Sequence, residues 1–315
     1  MLLIHPPAPF RFVDEAEPGD RIAAIFRDYW PAYRRWFLRE GDGARPNYAE
    51  CVRALRTHMP ELMPTYERLC ELVGGGDLAA RMLSLWKPTP FMTGCSQAIW
   101  LGEPLALVRN YDYAPHLSES VILRSAWNGD AVVAMTDCFW GALDGMNARG
   151  LAVALAFGGR KNVGAGFAIP LIVRYLLETC ETTADAVKAL RRVPSHMSYN
   201  ISLVDADGRH AAVLIGPDRP VEVTDSRVCT NHQTGIEWPE HATLTATEAR
   251  KRFLEERVHD SRETFDRFVA RFHEPPLFLT GQFRKWRTLY TAICMPKRGV
   301  CEYRWPGAAW SVTVQ

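Results

Sequence analysis

The hydrophobic period changes near residue 90, and that change constrains the fold more than any other feature. Before it, Asp20–Trp30 and Tyr48–Leu72 carry apolar residues three and four apart, the period of a helix with one buried face. Gly74-Gly75-Gly76 interrupts the pattern, and Asp77 is placed to cap a short helix reaching Trp86. Lys87-Pro88-Thr89-Pro90 then forces extended chain. Beyond it, Ser96–Leu101 and Leu105–Tyr111 predict a hairpin around Gly102-Glu103, with further strands at 121–125 and 131–135. Asp144–Gly150 reads as a turn cluster leading into a strand at 151–157. Helices are expected at 168–179 and 183–192, strands at 201–204, 211–215 and 221–224, helices at 245–258 and 262–272, and strands at 289–294 and 300–304. Strands in runs, rather than alternating singly with helices, predict α+β layering on antiparallel sheets. The helical first part and the sheet-rich remainder meet at Gly94-Cys95.

Composition narrows the partners. Lys and Arg number 37 against 36 Asp and Glu, a net charge of +1, which lacks the basic excess of a nucleic-acid binder. No apolar run approaches the roughly 20 residues of a membrane span. The start, Met1–Phe10, lacks the basic and long apolar regions of a signal peptide, so a soluble, cytoplasmic protein is expected. At 315 residues with 47% hydrophobic side chains, the chain can bury a core without a disulfide or metal staple. The eight cysteines form no CxxC and the nine histidines no HExxH, so no metal is expected. Gly158-Gly159 and Gly164–Gly166 do not make a GxGxxG after a strand, and no cofactor is expected either.

Cys95 stands apart because of its neighbours. A two-residue hairpin loop places it across from Asn110, a three-residue loop across from Tyr111. Either register surrounds it with Arg109-Asn110-Tyr111-Asp112. A guanidinium there favours thiolate over thiol. Strand alternation puts Arg109 and Asp112 on opposite faces, so both reach Cys95 only if the chain bends near Tyr111. The same spacing also fits a buried cysteine beside a surface turn. His232 beside Asn231 invites a Cys-His-Asn protease reading, but the local signature of papain-like enzymes around the cysteine is missing. Asn147 is expected to be a turn residue.

Four segments stand in order along the chain, Thr93–Ser96, Val108–Tyr113, Asp144–Val153 and Cys229–His232, with a looser match over Thr247–Leu254. Together they resemble the N-terminal-nucleophile (Ntn) hydrolases, and most closely the acyl-coenzyme A:6-aminopenicillanate acyltransferase (C45) branch. Choloylglycine hydrolases, penicillin V acylase and acid ceramidase are more distant. The resemblance covers roughly residues 90–310. It implies a four-layer αββα sandwich in which 1–94 is a helical pro-segment and 95–315 the catalytic core. It also implies self-cleavage between Gly94 and Cys95, with the two chains staying associated. A freed α-amine, with a pKa of about 7.7–8.0, would then serve as the base that no nearby histidine provides. By the same resemblance Asp112 holds the new amine, Arg109 lies beside the thiolate, and Asn231 donates to the oxyanion. Arg250 corresponds to a later arginine near the thiolate, with Arg252 an alternative. Ala249 stands where the acyltransferase has serine, and Ala156-Phe157 lacks the asparagine of the choloylglycine hydrolases.

The resulting expectation is an autoprocessing cysteine amidase or acyltransferase acting on a small acyl amide, with acyl-CoA or an amine acceptor as further partners and a homo-oligomer allowed. The alternative, of a different class, is an uncleaved, non-catalytic homologue that binds a small molecule or a protein.

Overall fold

The computed structural model describes residues 10–281 and 286–315. Met1–Pro9, most of the stretch read for leader character, lies outside them.

The chain opens with β1 (Arg11–Glu15), α1 (Asp20–Phe37), α2 (Tyr48–His58), α3 (Met63–Leu72) and α4 (Asp77–Leu83). The α2 helix starts at Asn47, whose side chain accepts from the Glu50 N–H while Glu50 reaches back to the Asn47 N–H, a reciprocal capping box. The stretch expected as one helix over Tyr48–Leu72 divides at Met59-Pro60, because proline removes an N–H that a continuous helix needs. Asp77 does not cap α4. It is the first helical residue, and it pairs with Arg81 one turn on. The helical reading of the first ninety residues also misses β1, which runs parallel to a strand of the larger sheet (Val121–Ser125).

The remainder holds β2 (Gly94–Trp100), β3 (Ala106–Tyr113), β4 (Val121–Ser125), β5 (Val132–Asp137), β6 (Gly141–Asn147) and β7 (Ala152–Phe157). Then come α5 (Ile169–Thr179), α6 (Thr183–Arg192), β8 (Tyr199–Val204), β9 (His210–Ile215), β10 (Glu222–Thr224) and β11 (Val228–Cys229). The chain closes with α7 (Pro239–Thr245), α8 (Thr247–His259), α9 (Phe265–Arg271), β12 (Arg287–Met295), β13 (Val300–Trp305) and β14 (Ala308–Thr313). An eight-stranded sheet has the order β1-β4-β5-β6-β7-β8-β9-β10, and a six-stranded sheet the order β11-β2-β3-β12-β13-β14. The architecture is α+β, with two sheets and flanking helices.

Alternation along β2 and β3 positions the site. Cys95, Ile99, Leu107 and Tyr111 point into the core shared with the larger sheet. Ala98, Ala106 and Val108 point the other way, onto Leu254, Val258 and Phe268 of α8 and α9. On the far side, α5 and α6 lie against β6, β7, β8 and β9.

Asp144–Asn147 corrects the expected turn: these residues belong to β6, and only Ala148–Gly150 reverses the chain. Gly145 is there for close approach, since a Cβ would lie 2.3 Å from the Val133 carbonyl oxygen. Asn147 ties this strand end to α5, donating to the Leu177 and Cys180 carbonyls.

Candidate active site

Cys95 faces Tyr111, as the three-residue-loop register requires, and the regular strands stop at Trp100 and Ala106. Its side chain is fully buried between the sheets. Arg109, two residues before Tyr111 on the same face of β3, brings Nη2 to 3.1 Å from Cys95 Sγ. The guanidinium is fixed from several sides: Nε donates to the Leu155 carbonyl at 3.0 Å, Nη1 to the Tyr290 hydroxyl at 3.0 Å, and Nη1 also pairs with Asp144. The Tyr290 hydroxyl donates to the same Asp144 Oδ2 at 2.6 Å. Asp144 is therefore the buried counter-ion that lets a full charge sit beside the thiol. Sequence reasoning missed this role by treating the segment as a turn.

Asp112 lies on the opposite face, as alternation demands, and no bend brings it to the thiol. Its Oδ1 accepts from Thr288 Oγ1 at 2.6 Å, and its Oδ2 lies 3.4 Å from Arg250 Nη1. The bend-dependent expectation is thus replaced by another geometry: Asp112 pairs in register with Gly94, so its carboxylate flanks the Gly94–Cys95 peptide.

Arg250 and Asn231 complete the surround. Arg250 Nη1 donates to the Cys95 carbonyl at 2.7 Å and to Ser96 Oγ at 2.7 Å, while Nη2 donates to Asn231 Oδ1 at 2.7 Å. Arg250 is buried on the main-chain side of Cys95, away from Sγ, and Arg252 is exposed. Asn231 Oδ1 accepts the Cys95 N–H at 3.0 Å, and Nδ2 donates to the carbonyls of Phe157 at 3.1 Å and Thr93 at 3.4 Å. Gly159, at φ +69°, lets the backbone close over this residue: a Cβ there would lie 2.3 Å from the Asn231 carbonyl oxygen. His232 turns aside to Thr247 Oγ1 at 2.9 Å.

Burial pushes the Cys95 thiol pKa up. Arg109 pulls it down and Asp112 pushes it up, leaving it above the ordinary value. In the continuous chain Cys95 is a neutral thiol at neutral pH.

A cavity of ≈ 710 Å³ adjoins this centre, lined by Tyr33 and Trp36 of α1, Phe91 and Met92 just ahead of Thr93, Asp137 and Phe157. Asp137 ends β5 at a tight hairpin whose Cys138 and Phe139 have φ of 55° and 76°. Burial and the neighbouring Glu119 push its carboxyl up to about 7. A carboxyl whose folded pKa is raised binds more protons when folded, so its contribution to stability is full below the unfolded pKa of about 3.9 and lost as pH rises through the folded value. The thermal stability of Asp137→Asn relative to wild type is therefore expected to rise as pH goes from about 4 to 7, the window between the unfolded and folded values. Calorimetric melting temperatures across that range check this, and a difference that does not change with pH contradicts it.

Among the described residues, no group of three or more His, Cys, Asp or Glu side chains could hold a metal ion, and no helix is long and apolar enough to cross a membrane.

The family model described as acyl-coenzyme A:6-aminopenicillanic acid acyl-transferase matches residues 100–310, and the chain belongs to that family. The matched span begins beyond Cys95 and includes Arg109, Asp112, Asn231 and Arg250. The structure is similar to penicillin V acylase from Agrobacterium tumefaciens, at 16% identity and a TM-score of 0.48, covering 70% of this chain and 86% of that one. It is similar to a mutant conjugated bile acid hydrolase from Clostridium perfringens, at 14% identity and a TM-score of 0.43, covering 70% and 92%. It is also similar to the Caenorhabditis elegans N-acylethanolamine-hydrolyzing acid amidase ortholog, at 15% identity and a TM-score of 0.48, covering 70% and 99%. No curated protein sequence matches the chain.

Proposed function

We propose that this chain is an autoprocessing cysteine amidase or acyltransferase of the αββα Ntn class, with Cys95 as its nucleophile. One observation carries the reading: the Sγ, N–H and C=O of Cys95 are each held by a residue of the resembling motifs, Sγ by Arg109, N–H by Asn231 and C=O by Arg250. In self-cleavage Sγ attacks the Gly94 carbonyl, the thiol proton passes to the Cys95 nitrogen, and the C–N bond breaks. The acyl group passes to sulfur and the nitrogen becomes the Cys95 α-amine. Water then hydrolyses the thioester, leaving a Gly94 carboxylate and a free thiol.

The amine so formed sits beside Asp112, which holds it, and in turnover serves as the base that takes the thiol proton. Withdrawal of Thr93 removes one of the two carbonyls that occupy Asn231 Nδ2, freeing it for the oxyanion of a bound acyl amide. Attack on that amide gives an acyl-thioester, the α-amine passes its proton to the departing amine, and water or a second amine resolves the thioester. The pairing of β1 with β4 supports a processed enzyme in which the 1–94 chain stays docked.

The test is a panel of small acyl amides, with released amine measured and the reaction quenched in acid for peptide mass mapping. The expected result is an acyl adduct on the peptide that begins at Cys95. An adduct confined to another of the eight cysteines, or no amine released from any amide by a fully cleaved protein, would overturn the reading.

A further inference from the structure

Glu119 and Asp137 are buried side by side, and no arginine or lysine among the described residues forms an ion pair with either. Buried carboxyls normally have a cation partner. These two share the hydroxyl of Tyr33, one donor between two acids. Glu119 is otherwise satisfied, by Phe139 N–H at 2.5 Å and Thr136 Oγ1 at 2.8 Å. Asp137 is not. Its bonds from Cys138 N–H and Tyr33 both fall on Oδ1, and no donor among the described residues meets Oδ2.

The surroundings point to a ligand at this carboxyl: Asp137 forms part of the wall of the ≈ 710 Å³ cavity, where the rings of Tyr29, Tyr33, Trp36 and Tyr113 gather. That volume lies in the range of small-molecule sites. An anionic oxygen among aromatic faces is the arrangement that selects an organic ammonium, because ring quadrupoles and carboxylate attract the same charge.

We infer that the cavity binds a protonated amine carried on an aromatic or alkyl body, with its ammonium at Asp137. The consequence for chemistry, that this amine is part of the amide cleaved or the acceptor acylated at Cys95, rests on the proposed function; the binding itself does not. Of the four cations on the cavity wall, Arg160 pairs with Asp218 and Glu237, Lys161 lies over the Trp238 ring at 4.8 Å, and Arg39 donates to the Pro90 carbonyl at 3.4 Å, while Arg35 is exposed on α1 and forms no ion pair with Asp137. Arg109, on β3 beside Tyr111, is bound to Asp144.

Calorimetric titration of the purified protein with phenethylamine, 2-phenylethanol and phenylacetate tests this at about pH 8, above the Asp137 value. The amine should bind at least about ten-fold more tightly than the isosteric alcohol. Asp137→Asn should erase that preference and leave the alcohol's affinity unchanged. Equal binding of amine and alcohol by wild type, tightest binding of phenylacetate, or an amine preference that survives in Asp137→Asn would each overturn the inference. The wild-type comparison decides even if the variant does not fold. Amine preference retained by Cys95→Ala protein supports the site whether or not the wild type turns over amides, so the two readings fail separately.

Discussion

The Cys95→Ala protein is expected to remain one chain of 315 residues and to release no amine from any acyl amide above the uncatalysed rate, a loss of roughly a thousand-fold or more. The size follows from the role: with Sγ gone, neither the bond to the Gly94 carbonyl nor the acyl-thioester can form. The fold should tolerate the change. Arg109 keeps Asp144, Tyr290 and the Leu155 carbonyl, so no buried charge loses its main partner. Removing one buried sulfur should cost about 1 kcal/mol. A melting temperature near wild type, with both cleavage and turnover gone, is the outcome that checks the prediction. Appreciable amine release by this variant contradicts it.

Asn231→Ala is expected to lower kcat by about a hundred-fold or more, the ~3 kcal/mol that one oxyanion donor supplies. The variant also removes the acceptor of the Cys95 N–H and one partner of Arg250. A buried guanidinium that loses a hydrogen bond destabilises the fold by about 1–3 kcal/mol. Cleaved protein should therefore be quantified and kcat expressed per cleaved chain. An unaltered rate per cleaved chain removes Asn231 from the oxyanion role.

The residues gathered around Cys95 were legible because they sit in short motifs whose order survives in the sequence. Period-two alternation correctly separates Arg109 from Asp112: one meets the thiol and the other flanks the peptide before it. The hairpin register was not legible, since loops of two and three residues both suit Gly102-Glu103-Pro104 and each shifts Cys95 by one partner. Asp144 was lost to Gly145, which signals a turn in sequence but here permits two strands to approach. The β1 strand carries only one buried residue, Val13, within Arg11–Glu15, too little to show an alternation. Glu119 and Asp137 lie far apart in sequence with ordinary flanks. The hairpin that aims Asp137 takes its positive φ angles at Cys138 and Phe139, residues that give no glycine to mark it.

If Cys95 becomes a chain terminus and then a nucleophile, the denatured wild-type protein gives the masses of two chains, of 94 and 221 residues, the first ending at Gly94 and the second beginning at Cys95. A wild-type protein that stays at full length, with Cys95 inert to a thiol-reactive probe, would contradict it.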